Sequence, residues 1–232
     1  MNRILDVTTS ILATAARLAY GERTGKLGPR PERPLILYDY EACPFCRKVR
    51  EALTVLDLEA EIYPCPRGGP RFRPWVAEHG GKAQFPYLVD PNTGTEMYES
   101  DDINRYLFAT YGPGRVPIML SVPLLPAVGS FVASSARLGR GGRYRPATAT
   151  GQPLELYSYE GSPFCRIVRE VLCELEIPYL LHNVAQRSPS REAFIERSGK
   201  MQVPYLVDPS TDTAMFESAD IVAYLEAQYA TA

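Results

Sequence analysis

Apolar and polar positions follow the same pattern in two separate stretches of the chain. In each stretch a short apolar run is followed by a segment whose apolar residues recur at helical spacing. The full predicted order is strand, helix, strand, helix, two strands and a helix. In the first stretch the predicted elements are Leu35–Asp39, Pro44–Leu58, Glu59–Tyr63, Arg73–His79, Tyr87–Asp90, Glu96–Tyr98 and Ser100–Tyr111. In the second they are Leu154–Ser158, Pro163–Glu176, Tyr179–Asn183, Ser190–Ser198, Tyr205–Val207, Ala214–Phe216 and Ser218–Tyr229.

The two stretches also share residue identities, which indicates a tandem duplication. At an offset of 119 residues, 14 of the 24 positions from Leu35 to Leu58 are identical. At an offset of 118, 11 of the 16 positions from Phe85 to Ser100 are identical. A weaker match aligns residues 11–18 with 131–138 and predicts an amphipathic helix before each copy. The predicted organisation is a helix and connector (1–34), a first domain (35–112), a second helix and linker (113–153) and a second domain (154–232).

Composition and charge narrow the functional classes. The 232 residues include 25 Lys+Arg and 27 Asp+Glu, and the net charge of −2 gives no simple electrostatic basis for binding nucleic acid. Five cysteines is an odd, low count that does not suit a secreted disulfide scaffold. We therefore expect a protein of a reducing compartment, the cytoplasm. With only His79 and His182, chemistry built on histidine clusters is not expected.

One uncharged stretch, Val116–Ala136, is long enough to cross a bilayer. Pro117, Pro123 and Pro126 interrupt it, and arginines flank it on both sides. We expect a linker followed by an amphipathic helix, with association at a membrane surface as the less favoured alternative. The N-terminus does not have the pattern of a secretory signal.

The first copy carries two cysteines at the start of its first predicted helix. Cys43, in the sequence Cys-Pro-Phe-Cys, would face unpaired backbone N–H groups and the positive end of the helix dipole, both of which stabilise a thiolate. Cys46, one turn later, could then attack and resolve a mixed disulfide on Cys43. A zinc site is the alternative, but the second copy offers only Ser162 and Cys165 as the equivalent pair. We therefore favour redox chemistry and expect no metal bound by protein ligands alone.

These motifs resemble those of glutaredoxins and of the N-terminal domain of glutathione transferases. The resemblance rests on Cys43-Pro-Phe-Cys46, Phe85-Pro86 and Glu99-Ser100, and it covers residues 35–111 and 154–230. It implies an α/β fold with two tandem thioredoxin-like domains and glutathione as cofactor. It further implies that Pro86 and Pro204 are cis and that each Glu-Ser pair holds the γ-glutamyl group at a helix start. From the residues alone, Ser100 and Ser218 are ordinary N-cap candidates.

Other candidate ligands precede the two prolines. Lys82, Gln84, Lys200 and Gln202 could bind the glycyl carboxylate of glutathione, or could be exposed loop residues. The full set of candidate glutathione-binding residues is Phe45, Lys82, Gln84, Phe85, Pro86, Glu99, Ser100, Phe164, Lys200, Gln202, Val203, Pro204, Glu217 and Ser218.

The second copy lacks the first cysteine of the motif. Ser162 stands in its place, and a serine cannot form a mixed disulfide. Ser162-Pro163-Phe164 resembles serine-type glutathione transferases, in which the hydroxyl stabilises the glutathione thiolate. Those enzymes bind the electrophile in an all-helical domain that does not follow the second copy here. We therefore expect a degenerate or glutathione-binding second domain more than an active transferase.

Three functional hypotheses follow. The leading one is a glutathione-dependent thiol–disulfide oxidoreductase that acts on disulfide or glutathionylated substrates, with Cys43 as nucleophile and Cys46 as resolving thiol. The second is a glutathione transferase or isomerase using Ser162. The chain also resembles the glutaredoxin-like part of membrane-associated prostaglandin E synthase, which has a Cys-Pro-Phe-Cys site. The third is a non-enzymatic protein that binds glutathione, or an iron–sulfur cluster between two chains.

Two cysteines and two tyrosines outside these motifs are further candidates. We expect Cys65 to be a loop cysteine and Cys173 to be a core residue. Tyr40 and Tyr159, just upstream of the motifs, could line the site, but we expect them to fill the core.

Overall fold

The computed structural model describes residues 7–10, 21–121 and 139–231. The strands are β1 (Leu35–Asp39), β2 (Ala60–Pro64), β3 (Tyr87–Asp90), β4 (Thr95–Met97), β5 (Leu154–Ser158), β6 (Tyr179–Asn183), β7 (Tyr205–Asp208) and β8 (Thr213–Phe216). The helices within residues 21–121 and 139–231 are α1 (Pro44–Val55), α2 (Phe72–His79), α3 (Ser100–Tyr111), α4 (Ile118–Ser121), α5 (Pro163–Glu174), α6 (Ser190–Ser198) and α7 (Ser218–Tyr229). The order confirms two tandem thioredoxin-like α/β domains.

A single eight-stranded sheet runs through both domains in the order β4-β3-β1-β2-β6-β5-β7-β8. Within each domain the first two strands are parallel to each other, and the hairpin strands that follow pair in antiparallel fashion. The domains join where β2 pairs with β6 in antiparallel register, with Glu61 opposite Leu180. Because these two residues are equivalents at the repeat offset of 119, a pseudo-twofold axis passes through this pair.

The two ends of the sheet carry the two candidate sites. Strand β1 is parallel to β2, β2 is antiparallel to β6, and β6 is parallel to β5. Strands β1 and β5 therefore run in opposite directions. Because each candidate nucleophile follows the carboxyl end of one of these strands, the two sites lie at opposite edges of the sheet.

The predicted helices Pro44–Leu58 and Pro163–Glu176 are too long, because α1 ends at Val55 and α5 at Glu174. The cause is a left-handed residue after each helix, Asp57 with φ 52° and Glu176 with φ 48°. In the first domain the Leu58 N–H then donates to the Leu53 carbonyl at 2.9 Å. This closes the helix with a bond typical of left-handed C-terminal caps.

One hydrophobic core extends through both domains. It contains the inward residues of β1, β2, β5 and β6 and the inner faces of α1, α3, α5 and α7. Smaller buried aromatic clusters lie beneath each candidate site. The shared core and the shared sheet make the two copies one packed unit.

The connectors cross from one domain to the other. The carbonyl of Gly21 accepts a hydrogen bond from Gly161 N–H in the second domain, at 3.0 Å. Reciprocally, the carbonyl of Gly141 accepts one from Ala42 N–H in the first domain, at 3.4 Å. Each connector then runs along the domain that follows it, as the bond from Gly28 N–H to the Tyr111 carbonyl shows.

The predicted amphipathic helices lie mostly outside the described residues. Residues 7–10 are helical, and the Ser10 hydroxyl donates to the Pro163 carbonyl at 2.7 Å. Most of the apolar stretch Val116–Ala136 is also outside the described part. Among the described helices, none has both the length and the apolar character needed to cross a membrane.

A buried network of ion pairs lies between the domains. Arg50 on α1 and Arg169 on α5 both contact Glu160, at 3.0 and 2.9 Å. The same two arginines contact Glu41, at 3.1 and 3.2 Å, and Arg50 also pairs with Asp39. Burial opposes ionisation of Glu160, but the surrounding arginines, Arg169 and Arg50 first and then Arg47 and Arg166, outweigh it and lower the pKa of this carboxyl to about 2.

Candidate functional site

Cys43 lies at the start of α1, as the N-cap residue of the helix. Its sulfur accepts a hydrogen bond from Cys46 N–H at 3.3 Å. Hydrogen bonds from the Cys46 thiol and from the first backbone N–H groups of α1 lower the pKa of Cys43 and outweigh its burial. Burial instead raises the pKa of Cys46 well above its ordinary value. The environment therefore favours a thiolate at Cys43 and a protonated thiol at Cys46.

A cleft of about 230 Å³ lies next to this helix start. Its lining residues are Phe45, Gln84, Phe85, Pro86, Glu99 and Ser100. The Phe85–Pro86 peptide bond is cis, as the resemblance implies. Phe45 has 55% of its surface exposed and forms the apolar rim. The structure thus brings together six of the seven ligands predicted in the first domain.

Glu99 has an unusual backbone conformation at this cleft. It precedes α3 with φ 67° and ψ 111°, a region that residues other than glycine rarely adopt and that costs roughly 1–3 kcal/mol. Its carboxylate accepts a hydrogen bond from the Gln84 side chain. Ser100, the first residue of α3, is buried behind it. The cleft therefore presents a carboxylate beside the unpaired N–H groups of a helix start.

The second domain repeats this arrangement around Ser162. Ser162 is the N-cap of α5, and its hydroxyl accepts a hydrogen bond from Cys165 N–H at 3.2 Å. A cleft of about 160 Å³ is lined by Phe164, Gln202, Val203, Pro204, Glu217 and Ser218. The Val203–Pro204 bond is cis, Glu217 has φ 67°, and the Gln202 side chain donates to Glu217. The two sites have the same arrangement of lining residues and differ in the atom at the nucleophile position, which is the sulfur of Cys43 in the first domain and the oxygen of Ser162 in the second.

The family model described as glutathione S-transferase, N-terminal domain, matches residues 37–115 and, a second time, residues 156–232. The chain belongs to this family. Each match contains one of the two clefts, so the chain carries two glutathione S-transferase N-terminal domains in tandem.

Two solved structures of glutathione transferases are similar to the chain. A Bombyx mori glutathione transferase is 27% identical over 37% of this chain and 39% of its own, with a TM-score of 0.33. A trimeric glutathione transferase from Leishmania is 16% identical over 86% of this chain and 68% of its own, with a TM-score of 0.31. The chain thus spans well under half the length of the Bombyx mori enzyme. No curated protein sequence matches it.

The two predicted lysine ligands are not among the residues that line the clefts of these transferase-like domains. Lys82 is exposed, and its ammonium lies 4.7 Å from the centre of the Tyr98 ring. Lys200 is also exposed and lies 4.3 Å from the centre of the Phe216 ring. Their binding of the glycyl carboxylate stays a prediction.

Tyr40 and Tyr159 are only partly buried, so the expectation that they fill the core is incomplete. The ring of Tyr40 packs against the buried cluster and meets the ring of Phe85 edge-on, with centres 6.2 Å apart. The Tyr40 hydroxyl also hydrogen-bonds Cys43, and it contributes to the lowered pKa of that thiol. Tyr40 therefore belongs to the site as well as to the core.

Arg73 is a feature of the site that the motifs did not indicate. Its guanidinium lies 4.7 Å from the centre of the Phe85 ring, and its Nε donates to the Cys65 carbonyl at 3.0 Å. In the second domain, Arg191 donates in the same way to the Val184 carbonyl, at 3.1 Å. A sequence signal existed, because each arginine stands 13 residues before the cis proline of its domain.

The remaining cysteines are buried. Cys65 follows β2 and lies in the same buried cluster as Cys43 and Cys46, with its thiol directed to the Tyr63 carbonyl at 3.4 Å. Burial raises the pKa of Cys65 well above its ordinary value. Cys173 is buried, as expected for a core residue, but it faces the first domain. All five cysteines are in the described residues and carry free thiols.

Proposed function

We propose that the first domain is a glutathione-linked thiol–disulfide oxidoreductase of the glutaredoxin type. The observation that supports it is the opposite shift in pKa of the two thiols. The environment of Cys43 stabilises its thiolate, whereas Cys46, one turn further along α1, stays protonated. The substrates would be disulfides, above all mixed disulfides between glutathione and a protein. Because this chemistry needs reduced thiols, we propose a cytoplasmic location.

The reaction proceeds by two exchanges. The Cys43 thiolate attacks the glutathione sulfur of a mixed disulfide, so a Cys43–glutathione disulfide forms and the protein substrate leaves as a thiolate that takes up a proton. A second glutathione thiolate then attacks the bound glutathione sulfur, which releases oxidised glutathione and restores Cys43. Alternatively, Cys46 attacks Cys43, passes its proton to the departing glutathione thiolate, and leaves a Cys43–Cys46 disulfide for later reduction.

The cleft residues fit glutathione. The N–H groups at the start of α3 can bind the α-carboxylate of the γ-glutamyl group, and the Glu99 carboxylate can accept from its ammonium. The backbone of Phe85, before the cis proline, can pair with the cysteinyl part. The strained φ of Glu99 supports this role, since such strain persists where function requires a fixed geometry.

We propose that the second domain binds glutathione without forming a mixed disulfide with it. The support is that the cleft beside Ser162 has the same features as the first cleft, including the strained backbone of Glu217 and the cis Pro204. The same hydroxyl also supports a second candidate function, a glutathione transferase in which Ser162 donates a hydrogen bond to the glutathione thiolate. An electrophile site for that reaction is not assigned among the described residues.

The test is turnover of a glutathionylated peptide with glutathione as reductant. We expect Cys43→Ser to abolish turnover and Ser162→Ala to retain it, while Cys46→Ser retains the exchange that needs one thiol. Full turnover by Cys43→Ser would refute the proposal. Conjugation of glutathione to chlorodinitrobenzene, lost in Ser162→Ala and kept in Cys43→Ser, would establish the transferase instead.

A further inference from the structure

The loop that carries Cys43 is held by side chains of the other domain. Glu41, two residues before Cys43, receives two contacts from Arg169 of α5, from Nε and Nη2 at 3.2 Å each. Side-chain exposure is 6% for Glu41 and 2% for Arg169, so water screens this pair little. The proposed reaction uses neither residue, and their contact crosses the domain boundary.

The backbone of the same loop is held from the second half of the chain as well. The Glu41 N–H donates to the sulfur of Cys173, at 3.4 Å, and the Ala42 N–H donates to the Gly141 carbonyl, also at 3.4 Å. A side-chain ion pair and two backbone hydrogen bonds therefore fix the two residues that immediately precede the nucleophile.

The pseudo-twofold axis produces the same three contacts at the other site. Arg50 contacts Glu160 at 3.0 Å, and the Glu160 N–H donates to the Thr54 hydroxyl at 3.2 Å. The Gly161 N–H donates to the Gly21 carbonyl at 3.0 Å. Thr54 and Cys173 occupy equivalent positions of α1 and α5, so each helix supplies one acceptor to the loop of the opposite domain.

We propose that the second domain positions the Cys43 loop, with Arg169 and Cys173 as positioning residues that act through Glu41. The inference rests on the proposed role of Cys43 as the nucleophile. It assigns the second domain a part in the chemistry of the first, although its own nucleophile position holds a serine.

The physical reason is the narrow geometry that a thiolate at a helix start requires. The Cys43 sulfur must stay within hydrogen-bond reach of Cys46 N–H, and a displacement of less than 1 Å would weaken that bond. Tyr40 and Cys46 are the titratable groups in contact with the sulfur, while Asp39 and Glu41 are engaged by Arg50 and Arg169. If the contacts from the second domain to the Cys43 loop are lost, the Cys43 thiolate loses stabilisation even though the neighbouring titratable groups, Tyr40 and Cys46, are unchanged.

The test measures the pH dependence of Cys43 alkylation by iodoacetamide in the full chain, with the modified peptide quantified by mass spectrometry. Cys173→Ala removes the acceptor of the Glu41 N–H, and we expect the alkylation midpoint to rise by about 0.5–1 pH unit. This corresponds to alkylation roughly threefold to tenfold slower below the midpoint. Cys173→Thr supplies the hydroxyl that its equivalent, Thr54, uses, and we expect it to retain the parent profile.

Two further variants separate positioning from general stability. Thr54→Ala is the matched control, because it removes the equivalent contact at the Ser162 loop, and we expect Cys43 alkylation to keep its midpoint. Arg169→Lys keeps the charge but cannot make both contacts with Glu41, and we expect a rise of about one pH unit, or tenfold slower alkylation below the midpoint.

An unchanged midpoint in both Cys173→Ala and Arg169→Lys would overturn the inference. Equal shifts in Cys173→Ala and Thr54→Ala would also overturn it, since they would reflect loss of stability. If the parent protein itself lacks a lowered Cys43 midpoint, the proposed function fails, and this result is distinct from a failure of positioning.

Discussion

Replacement of Glu160 by glutamine tests the buried ion network between the domains. Glu160 lies within 3.0 Å of Arg50 and 2.9 Å of Arg169, and its side chain is 2% exposed. Its carboxylate therefore exchanges hydration for contact with these two guanidinium groups and with that of Arg47, whose Nε lies 3.6 Å away. In Glu160→Gln the shape is nearly kept but the charge is lost, and we expect the free energy of unfolding at pH 7 to fall by about 3–5 kcal/mol.

The size of the pH effect follows from the pKa values. The carboxyl has a pKa of about 2 in the folded protein against its ordinary value of 4.5, a difference worth of the order of 3 kcal/mol above pH 4.5. Because the folded pKa is lowered, this stabilisation is present above pH 4.5 and is lost as the pH falls toward 2. By pH 3, about 2 kcal/mol of it should be gone.

The assay is urea unfolding of the parent and of Glu160→Gln at several pH values between 3 and 7. Other carboxyl groups titrate in both proteins, so the difference between the two unfolding free energies isolates Glu160. We expect this difference to shrink by about 2 kcal/mol between pH 7 and pH 3. Asp102→Asn, at an exposed pair with Arg105, is a control that should show no such trend. A difference that is the same at all pH values would refute the reasoning.

Three further predictions concern the clefts and their support. Ser162→Cys in a Cys43→Ser background should regain part of the turnover with a glutathionylated peptide, because the residues that line the second cleft are unchanged. A variant that binds glutathione but stays inactive would count against this prediction. Glu99→Gly should weaken glutathione binding, measured by calorimetry. It should nevertheless raise the unfolding free energy by about 0.5–1 kcal/mol, because glycine adopts φ 67° without strain. A drop in thermal stability would argue against backbone strain at Glu99. Asp90 accepts hydrogen bonds from two tyrosine hydroxyls at 2.6 Å. Asp90→Ala should therefore lower the unfolding free energy, measured by urea titration, by about 3 kcal/mol. A loss below about 1 kcal/mol would contradict a stabilising role for these hydrogen bonds.

Much of the fold could be predicted because its signals are local and occur twice. The bounds of α3, α6 and α7 agree with the apolar spacing and the residues at the helix starts. The overlong predictions for α1 and α5 have a specific cause, since neither Asp57 nor Glu176 is a glycine that would mark a left-handed residue. The pairing of β2 with β6 could not be predicted, because nothing in either short strand specifies a partner 119 residues away.

The candidate site shows the same division between local and distant contacts. The cysteine motif, the prolines and the Glu-Ser pairs lie within short segments, and the structure brings them together at each cleft. Charged residues such as Arg50 and Arg169 are typical of solvated helix faces, yet both are fully buried between the domains. Their identity in the two copies, together with that of Glu41 and Glu160, was the available signal of a reciprocal contact.

The central claim is that Cys43 forms a mixed disulfide with glutathione. The direct measurement is mass spectrometry of Cys46→Ser after exposure to oxidised glutathione, since this variant cannot resolve the adduct through Cys46. We predict one glutathione per chain, on the peptide that contains Cys43, whose pKa is lowered, and none on the peptides of Cys65, Cys165 and Cys173, because burial raises the pKa of these thiols and keeps them protonated. An unmodified Cys43, or an adduct confined to another cysteine, would contradict the account.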